Sequence, residues 1–195
     1  MGRNASVTRE TRETTIRIAV SLDGGEIHIS TGIAFMDHML EAFSRHGHLG
    51  LIVEARGDLS VDAHHTMEDL GLVLGRALRE ALGEKRSVQR FGQACVPMDE
   101  ALVRAVVDLS GRPFLGYRVT PPNSVCGGID ARLFHEFFQA LVNAGAFTLH
   151  LDLLAGAEVH HTFEAVFKAF GRALDQAVAD DPRSTGVPST KGVLE

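Results

Sequence analysis

The chain has 195 residues, of which 45% are hydrophobic and 23% charged, and its 25 acidic and 19 basic residues give a net charge of −6. This composition is typical of a globular domain and excludes disorder for most of the chain, while the negative charge argues against a broad nucleic-acid-binding face. Apolar runs fall short of the ~18–20 residues that a membrane span needs, and the first residues lack the apolar core of a signal peptide. Two cysteines make no disulfide framework. We therefore expect a cytoplasmic protein that binds neither nucleic acid nor membranes.

The first half of the sequence predicts the element order β-β-α-β-α. Residues 6–20 end in the β-rich stretch TTIRIAV, and Asp23-Gly24-Gly25 predicts a hairpin turn before the alternating segment EIHIS. A helix, a strand and a long helix follow, and Gly83 is placed to end the second helix. These three elements are expected at residues 35–46, 49–55 and 65–82.

The second half predicts the same order. Residues 94–110 are β-rich, SGRP at 110–113 predicts a turn, and residues 114–120 form a further strand. A helix, a strand and a second long helix are expected at residues 129–143, 146–154 and 161–179. The polar segment 180–195, rich in turn formers, is expected to be a loop.

An internal repeat relates the two halves. HHTMEDLGLVLGRALREAL (64–82) and HHTFEAVFKAFGRALDQAV (160–178) share nine of 19 residues at an offset of 96. A weaker match aligns FMDHMLEAF (35–43) with RLFHEFFQA (132–140) at an offset of 97, which places His38 opposite His135. We therefore predict an α+β protein made of two tandem pseudo-symmetric halves, 1–92 and 93–195. The sheets should carry helices on one face and pack about a pseudo-twofold axis as one compact unit.

The histidines are spaced as metal ligands. Each HHxxE motif opens a helix, so its Glu can share a helix face with either His, whereas adjacent His side chains point in different directions. Eight imidazole and carboxylate donors divided between two ions give three imidazoles and one carboxylate each, which favours Mn or Fe with open coordination positions. The candidate metal ligands are His38, His64, His65, Glu68, His135, His160, His161 and Glu164.

A second set of polar residues could bind phosphate. Arg90, Arg112, Lys168 and the Ser189–Gly192 segment are each typical of a solvated surface, but together they offer the cationic donors that phosphate recognition needs. Nearby carboxylates could orient the histidine rings. Those considered are Asp37, Asp62, Asp69, Asp99 and Glu100.

Several blocks resemble the imidazoleglycerol-phosphate dehydratase family. They include TGIAFMDHML (31–40), GDLSVDAHHTMEDLG (57–71), VDLSGRP (107–113), HHTFEAVFKAFGRAL (160–174) and PSTKGVLE (188–195). The resemblance implies that the chain dehydrates imidazoleglycerol phosphate to imidazole acetol phosphate in histidine biosynthesis. It also implies a di-manganese site, two Mn²⁺ per active site, that binds the substrate imidazole as imidazolate. A homo-oligomer of 24 subunits is implied, with active sites between subunits.

The resemblance also implies roles for individual residues. The metal ligands it implies are the eight given above. The implied substrate contacts are Glu13, His38, His46, Arg90, Arg112, Lys168, Ser189 and Lys191. The catalytic set is Glu13, His64, Glu68, His160 and Glu164, and our hypothesis is that Glu13 moves the C2 proton.

Two alternatives remain open at this point. One is a different metal-dependent lyase or hydrolase on the same scaffold, which would have no need of Arg90, Arg112 and Lys191 if its substrate lacked phosphate. The other is a metal-storage protein or a metal-assembled structural shell, whose ligands would saturate the ion and leave no open coordination position.

Overall fold

Two four-stranded sheets and four helices make up the part of the chain that this computed structural model describes, residues 2–194. The first half contains β1 (Asn4–Glu10), β2 (Thr14–Ser21), β3 (Ile27–Ser30), α1 (Ala34–His46), β4 (Gly50–Gly57) and α2 (His64–Leu82). The second half contains β5 (Phe91–Met98), β6 (Ala101–Asp108), β7 (Phe114–Arg118), β8 (Val125–Cys126), β9 (Ile129–Asp130), α3 (Leu133–Gly145), β10 (Thr148–Ala155) and α4 (Val159–Val178). The two tandem α+β halves are therefore confirmed, and β8 and β9 form a small extra hairpin in the second half.

The two sheets have the same topology. Their strand orders are β1-β2-β4-β3 and β5-β6-β10-β7, and in each the last strand is parallel to its neighbour while the other pairs are antiparallel. On β2, Ile16 and Ile18 are buried whereas Thr15 and Arg17 are exposed, because successive side chains of a strand point to opposite faces. One face of each sheet is therefore apolar and is covered by helices.

The structure differs from the predicted elements at the start of each half. The β-rich runs 6–20 and 94–110 each fold into a hairpin, β1-β2 and β5-β6, so each four-stranded sheet has one strand more than expected. Polar and apolar residues alternate through both tight turns, so the sequence pattern did not indicate where one strand ends and the next begins. The turn at Asp23–Gly25 does not close a hairpin, because β3 pairs in parallel with β4 instead of with β2.

The helices lie between the sheets and pair across the two halves. Helix α2 packs on the first sheet and against α3, while α4 packs on the second sheet and against α1. Phe43 of α1 stacks on Phe170 of α4 with 4.9 Å between ring centroids. Each half thus buries part of its helix surface against the helices of the other half. Within residues 2–194 no helix is both long and apolar enough to cross a membrane.

Close contacts between helices show which residues of α1 correspond to which residues of α3. A side chain at Gly171 of α4 would meet Phe43 O and Gly47 N, and one at Gly75 of α2 would meet Leu141 O and Gly145 N. These contacts relate α1 to α3 by an offset of 98 (141 − 43 and 145 − 47), and β4 and β10 begin 98 residues apart as well.

The residue equivalent to His38 is therefore Glu136, and His135 is equivalent to Asp37. The predicted pairing of His38 with His135, at an offset of 97, differs from this register by one residue. Because the aligned segments share few residues, one matching histidine was enough to displace the alignment by one position. The left-handed backbone after each helix agrees with the corrected register, since His48 and Ala146 have φ of 53° and 50°.

A carboxylate on the outer face of the second sheet joins three strands. Asp152 of β10 lies opposite Arg104 of β6 and Arg118 of β7 in the strand register, and both arginines donate to its carboxylate. Its side chain is only 8% exposed. Burial opposes ionisation of Asp152, but the hydrogen bonds from Arg118 and Arg104 lower its pKa overall.

Replacing Asp152 by Asn should lower the free energy of unfolding by about 1–3 kcal/mol at pH 7, because two guanidinium groups lose a desolvated charged acceptor. Since the folded pKa lies below that of the unfolded chain, this stability is present above about pH 4 and is lost as the pH falls through the folded pKa. Denaturant titrations at neutral and acid pH would measure the difference. The exposed pair Arg17–Glu54 supplies the control, E54Q, for which little change is expected.

Candidate metal and substrate site

Two imidazoles and one carboxylate converge where α1 packs against α4. His38 lies in the second turn of α1, and His160 and Glu164 lie one turn apart at the start of α4. The Oε2 atom of Glu164 is 3.4 Å from His38 Nε2 and 3.2 Å from His160 Nε2. All three donor atoms lie within 4.8 Å of one another, and we refer to these residues as the first metal group.

Lys168 keeps the carboxylate of the first metal group ionised. Its Nζ lies 2.6 Å from Glu164 Oε1, one helical turn further along α4. Burial would raise the pKa of Glu164, which is only 11% exposed, but the Lys168 ammonium and then His38 lower that pKa overall. One carboxylate oxygen is thus bound to Lys168 while the other faces the two imidazoles.

The second histidine of each HHxxE motif points away from the first, as predicted. The ring planes of His64 and His65 are 88° apart with centroids separated by 6.0 Å, and His160 and His161 have the same angle at 6.2 Å. The two adjacent imidazole rings of each motif therefore differ in orientation and cannot present their nitrogen atoms to one ion in the same way.

Carboxylates hold the second histidine of each motif through Nδ1. His65 Nδ1 is 3.0 Å from Asp58 Oδ2, and His161 Nδ1 is 2.8 Å from Glu100 Oε2. These hydrogen bonds raise the pKa of His65 and of His161, and that of Glu100 falls to about 2. With Nδ1 occupied, Nε2 of each ring is the nitrogen left for an ion. Glu100 was among the predicted orienting residues, whereas Asp58 was not.

The equivalent group at the start of α2 is more open. His64 Nε2 is 3.8 Å from Glu68 Oε2. His64 lines a cleft of about 750 Å³ whose opposite side includes Glu136 of α3. His135 is not brought to this cleft: its ring lies edge-on to Tyr117 at 5.2 Å, and its Nδ1 is 3.2 Å from Glu136 Oε1.

Two further predicted site residues lie beside the histidines. Glu13 is exposed in the β1–β2 turn, and its Oε2 is 3.8 Å from His65 Nδ1. His46 ends α1 and is half-buried, and its pKa is lowered first by burial and then by the cations Lys168 and Arg172. A neutral imidazole is therefore favoured at His46.

Arg90 and the tail segment that carries Ser189 and Lys191 lie together at the other end of α4. Arg90 donates from Nε to Asp108 at 2.8 Å and from Nη1 to the carbonyl oxygen of Pro188 at 2.8 Å. This second bond fixes the tail beside Ser189 and Lys191. Arg112 is exposed in the turn two residues after Ser110, close to the end of β6.

Lys168 and the metal groups are not part of that cluster. Arg90 N bonds to the carbonyl of Ala177, which lies 13 residues beyond Glu164 on α4. That separation corresponds to about 20 Å along a helix. Within one chain, the first metal group and the Arg90 cluster are thus far apart.

Asp58 is a site residue that the sequence did not single out. Asp58 follows β4 in a Gly-Asp pair that has no counterpart in the second half, so the repeat gave no signal for it.

A pair of imidazoles and a carboxylate on a duplicated α+β scaffold defines a histidine-rich protein with a candidate transition-metal centre. The profile of the family "Imidazoleglycerol-phosphate dehydratase" matches residues 31–174. The imidazoleglycerol-phosphate dehydratase of Acidiphilium cryptum is 57% identical over 196 residues, covering 100% of both chains. That of Lacticaseibacillus casei is 54% identical over 193 residues, covering 98% of this chain and 100% of the relative. The chain belongs to the imidazoleglycerol-phosphate dehydratase family.

Solved structures with the same name share the fold. The Staphylococcus aureus structure superposes with a TM-score of 0.83 at 40% identity and covers 91% of this chain and 99% of its own. A Pyrococcus furiosus structure, in complex with (S)-C348, gives 0.84 at 39% identity and covers 96% and 100%. The tandem arrangement of halves is therefore that of the family.

Proposed function

We propose that the protein dehydrates imidazoleglycerol phosphate to imidazole acetol phosphate in histidine biosynthesis, with two Mn²⁺ ions per active site. The observation that carries the proposal is the convergence of His38, His160 and Glu164 within 4.8 Å in a member of this family. Neutral imidazole and carboxylate without thiolate form a donor set that suits Mn, Fe, Co or Zn. The residues present thus fit a divalent transition metal.

The chain offers further donors beyond the first metal group. His64 and Glu68 belong to the second group. We propose that Nε2 of His65 and Nε2 of His161 bind ions together with donors of a neighbouring subunit. When bound, the divalent ions supply Lewis-acid stabilisation of negative charge on the substrate. His135 remains the eighth proposed donor, and within one chain its ring lies edge-on to Tyr117.

Proton transfer is assigned to Glu13. Dehydration takes a proton from C2 of the glycerol chain and hydroxide from the neighbouring carbon. The Glu13 carboxyl is more than half exposed, within 4 Å of His65, and so can reach a substrate bound at that imidazole. We propose that Glu13 accepts the C2 proton.

The cationic cluster is assigned to the phosphate. Arg112 and Lys191 are exposed and can bind its oxygens directly. Arg90 already donates to Asp108 and Pro188, so it also holds the tail that carries Ser189 and Lys191. Lys168 and His46, beside the first metal group, would contact the substrate near its ring.

Assembly is proposed to complete the site. An imidazole, three carbons and a phosphate are too short to span the about 20 Å that separates Glu164 from the Arg90 cluster in one chain. The metal groups of one subunit and the phosphate donors of another would meet in a homo-oligomer, which we propose to be a 24-mer. The cytoplasmic location stays a prediction.

The direct test is dehydration of imidazoleglycerol phosphate by protein stripped of metal and then reloaded with Mn²⁺. Activity that returns only on reloading supports the proposal. Protein that holds about two Mn²⁺ per chain but is inactive would instead favour the storage or structural function, and activity unaffected by stripping would exclude the metal requirement.

Glu13→Gln is expected to lower kcat by about 10²–10³-fold while metal content and oligomeric state stay unchanged. The amide keeps the size of the side chain but cannot accept a proton. Steady-state kinetics, metal analysis and size-exclusion chromatography would be compared with those of Glu10→Gln, an exposed carboxylate on β1. A kcat close to that of the wild type would remove Glu13 from proton transfer.

A further inference from the structure

We infer that Asp69 of α2 positions Glu13 for proton transfer by anchoring the β1–β2 turn. The buried carboxylate of Asp69 ties the turn to the helix that carries His65, so that the Glu13 carboxyl stays beside that imidazole. The inference rests on the proposed role of Glu13 and adds the residues that hold Glu13 in place.

Asp69 links the first hairpin to α2. It lies one helical turn beyond His65 and is only 9% exposed. Its Oδ2 atom accepts a hydrogen bond from Thr14 Oγ1 at 2.5 Å, and its Oδ1 atom accepts one from Arg9 Nε at 2.9 Å. The sequence suggested Asp69 as a carboxylate that could orient a histidine ring, but these two bonds hold β1 and β2 instead.

The hydrogen-bond chain continues from Asp69 into the turn. Thr11 Oγ1 lies 3.3 Å from Thr14 Oγ1 and accepts from the backbone N–H groups of Glu13, at 3.1 Å, and Thr14, at 2.9 Å. Because the Thr14 hydroxyl gives its one proton to Asp69, the Thr11 hydroxyl is the donor between the two threonines. Successive hydrogen bonds thus connect the backbone of Glu13 to the carboxylate on α2.

The Glu13 carboxylate depends on this support. Within residues 2–194 it accepts no hydrogen bond, and its Oε2 atom lies 3.8 Å from His65 Nδ1. A general base has to keep its oxygen free for the proton and still be held close to the reacting carbon. The position of Glu13 must therefore be set through its backbone.

The second half shows that an equivalent hairpin folds without these polar residues. The strand pairings relate β1–β2 to β5–β6 by an offset of 87 (96 − 9 and 103 − 16), and the repeat relates α2 to α4 by 96. Apolar residues replace all three members of the network there, so the fold does not require it. The counterparts of Arg9, Thr14 and Asp69 are Val96, Ala101 and Ala165.

The counterpart of Glu13 is held in a different way. It is Glu100, whose carboxylate accepts from the backbone N–H of Glu158 at 2.9 Å and lies 2.8 Å from His161 Nδ1. Glu100 is fixed by its own hydrogen bonds, whereas the carboxylate of Glu13 is free. The Asp69 network is thus present only in the half whose glutamate has to be held through its backbone.

A double-mutant cycle on the Mn²⁺-loaded full-length protein tests the inference by steady-state kinetics with imidazoleglycerol phosphate. Thr14→Val should lower kcat at least about tenfold and change KM less than about twofold, because misplacing a reacting group costs rate more than binding. Thr14→Ser should restore kcat, and Thr15→Val, the same change at the exposed next residue, should leave it unchanged. In the Glu13→Gln background Thr14→Val should lower kcat no further, because its effect acts through Glu13.

A triple variant with the residues of the second half provides an independent check. Arg9→Val, Thr14→Ala and Asp69→Ala together should fold and bind Mn²⁺ as wild type does, since an equivalent hairpin packs with those residues. Its kcat should nevertheless fall at least as far as that of Thr14→Val. Circular dichroism and metal analysis would establish fold and metal content.

The outcomes separate the inference from the proposed function. Equal losses of kcat from Thr14→Val with and without Glu13→Gln would assign the network to the fold alone and overturn the inference, as would wild-type kcat in the triple variant. Wild-type kcat in Glu13→Gln would overturn it too, while leaving the dehydration standing. A wild-type protein without dehydratase activity would overturn both.

Discussion

Glu164→Gln is expected to abolish binding at the first metal group and to reduce turnover by about 10³-fold or more. Its Oε2 atom faces both His38 and His160, so the carboxylate is the one charged donor of that group. Lewis-acid stabilisation is worth several kcal/mol, which corresponds to a factor of this size. Metal analysis after dialysis and the dehydration assay would measure the two effects.

The variant also leaves Lys168 without its carboxylate partner, so a loss of stability has to be distinguished from a loss of metal. Comparing the unfolding of metal-free wild type and variant separates the two. Glu84→Gln is a suitable control, because Glu84 forms an exposed pair with Arg86 just beyond the end of α2, at the opposite end of that helix from His64 and Glu68. A Glu164→Gln protein with two tightly bound ions would contradict the assignment of the first group.

Gly171→Ala is expected to destabilise the fold by about 2–4 kcal/mol. In an exposed helix interior the same change would stabilise by about 1 kcal/mol. Here the new Cβ would lie 2.5 Å from Phe43 O and 3.0 Å from Gly47 N, both backbone atoms that cannot rotate away. The α1–α4 packing would have to separate, at the cost typical of an overpacked core.

Because His38 is carried by α1 and Glu164 by α4, the same separation should also weaken metal binding at the first group. Thermal unfolding and Mn²⁺ affinity would both be followed. Gly186→Ala provides the control, since a Cβ there meets no atom within 4 Å. Wild-type stability in Gly171→Ala would mean that the close helix contact is not essential to the fold.

The sequence predicted correctly those features of the fold that depend on a local pattern of residues. Helices with a long apolar face, such as His64–Leu82, were located to within a residue or two, and the end of α2 at Gly83 follows from its positive φ of 53°. The repeated spacing also singled out His38, His160 and Glu164 as candidate donors, although it did not indicate which histidines share an ion.

The prediction failed where position depends on partners distant in sequence. Asp58 could not be found because its role depends on the packing of β4 against the start of α2. The distance between Glu164 and Arg90 is set by α4 and emerges only in three dimensions.

The exchange of helices between the halves bears on how such a chain could have arisen. A polypeptide consisting of one half would expose the helix faces that now pack on the other half, and it could bury them only against a second copy of itself. The paired halves thus have the geometry of a twofold homodimer whose two subunits were joined end to end by gene duplication. Once joined, the two copies could diverge separately, and the additional β8–β9 hairpin of the second half is an example of that divergence.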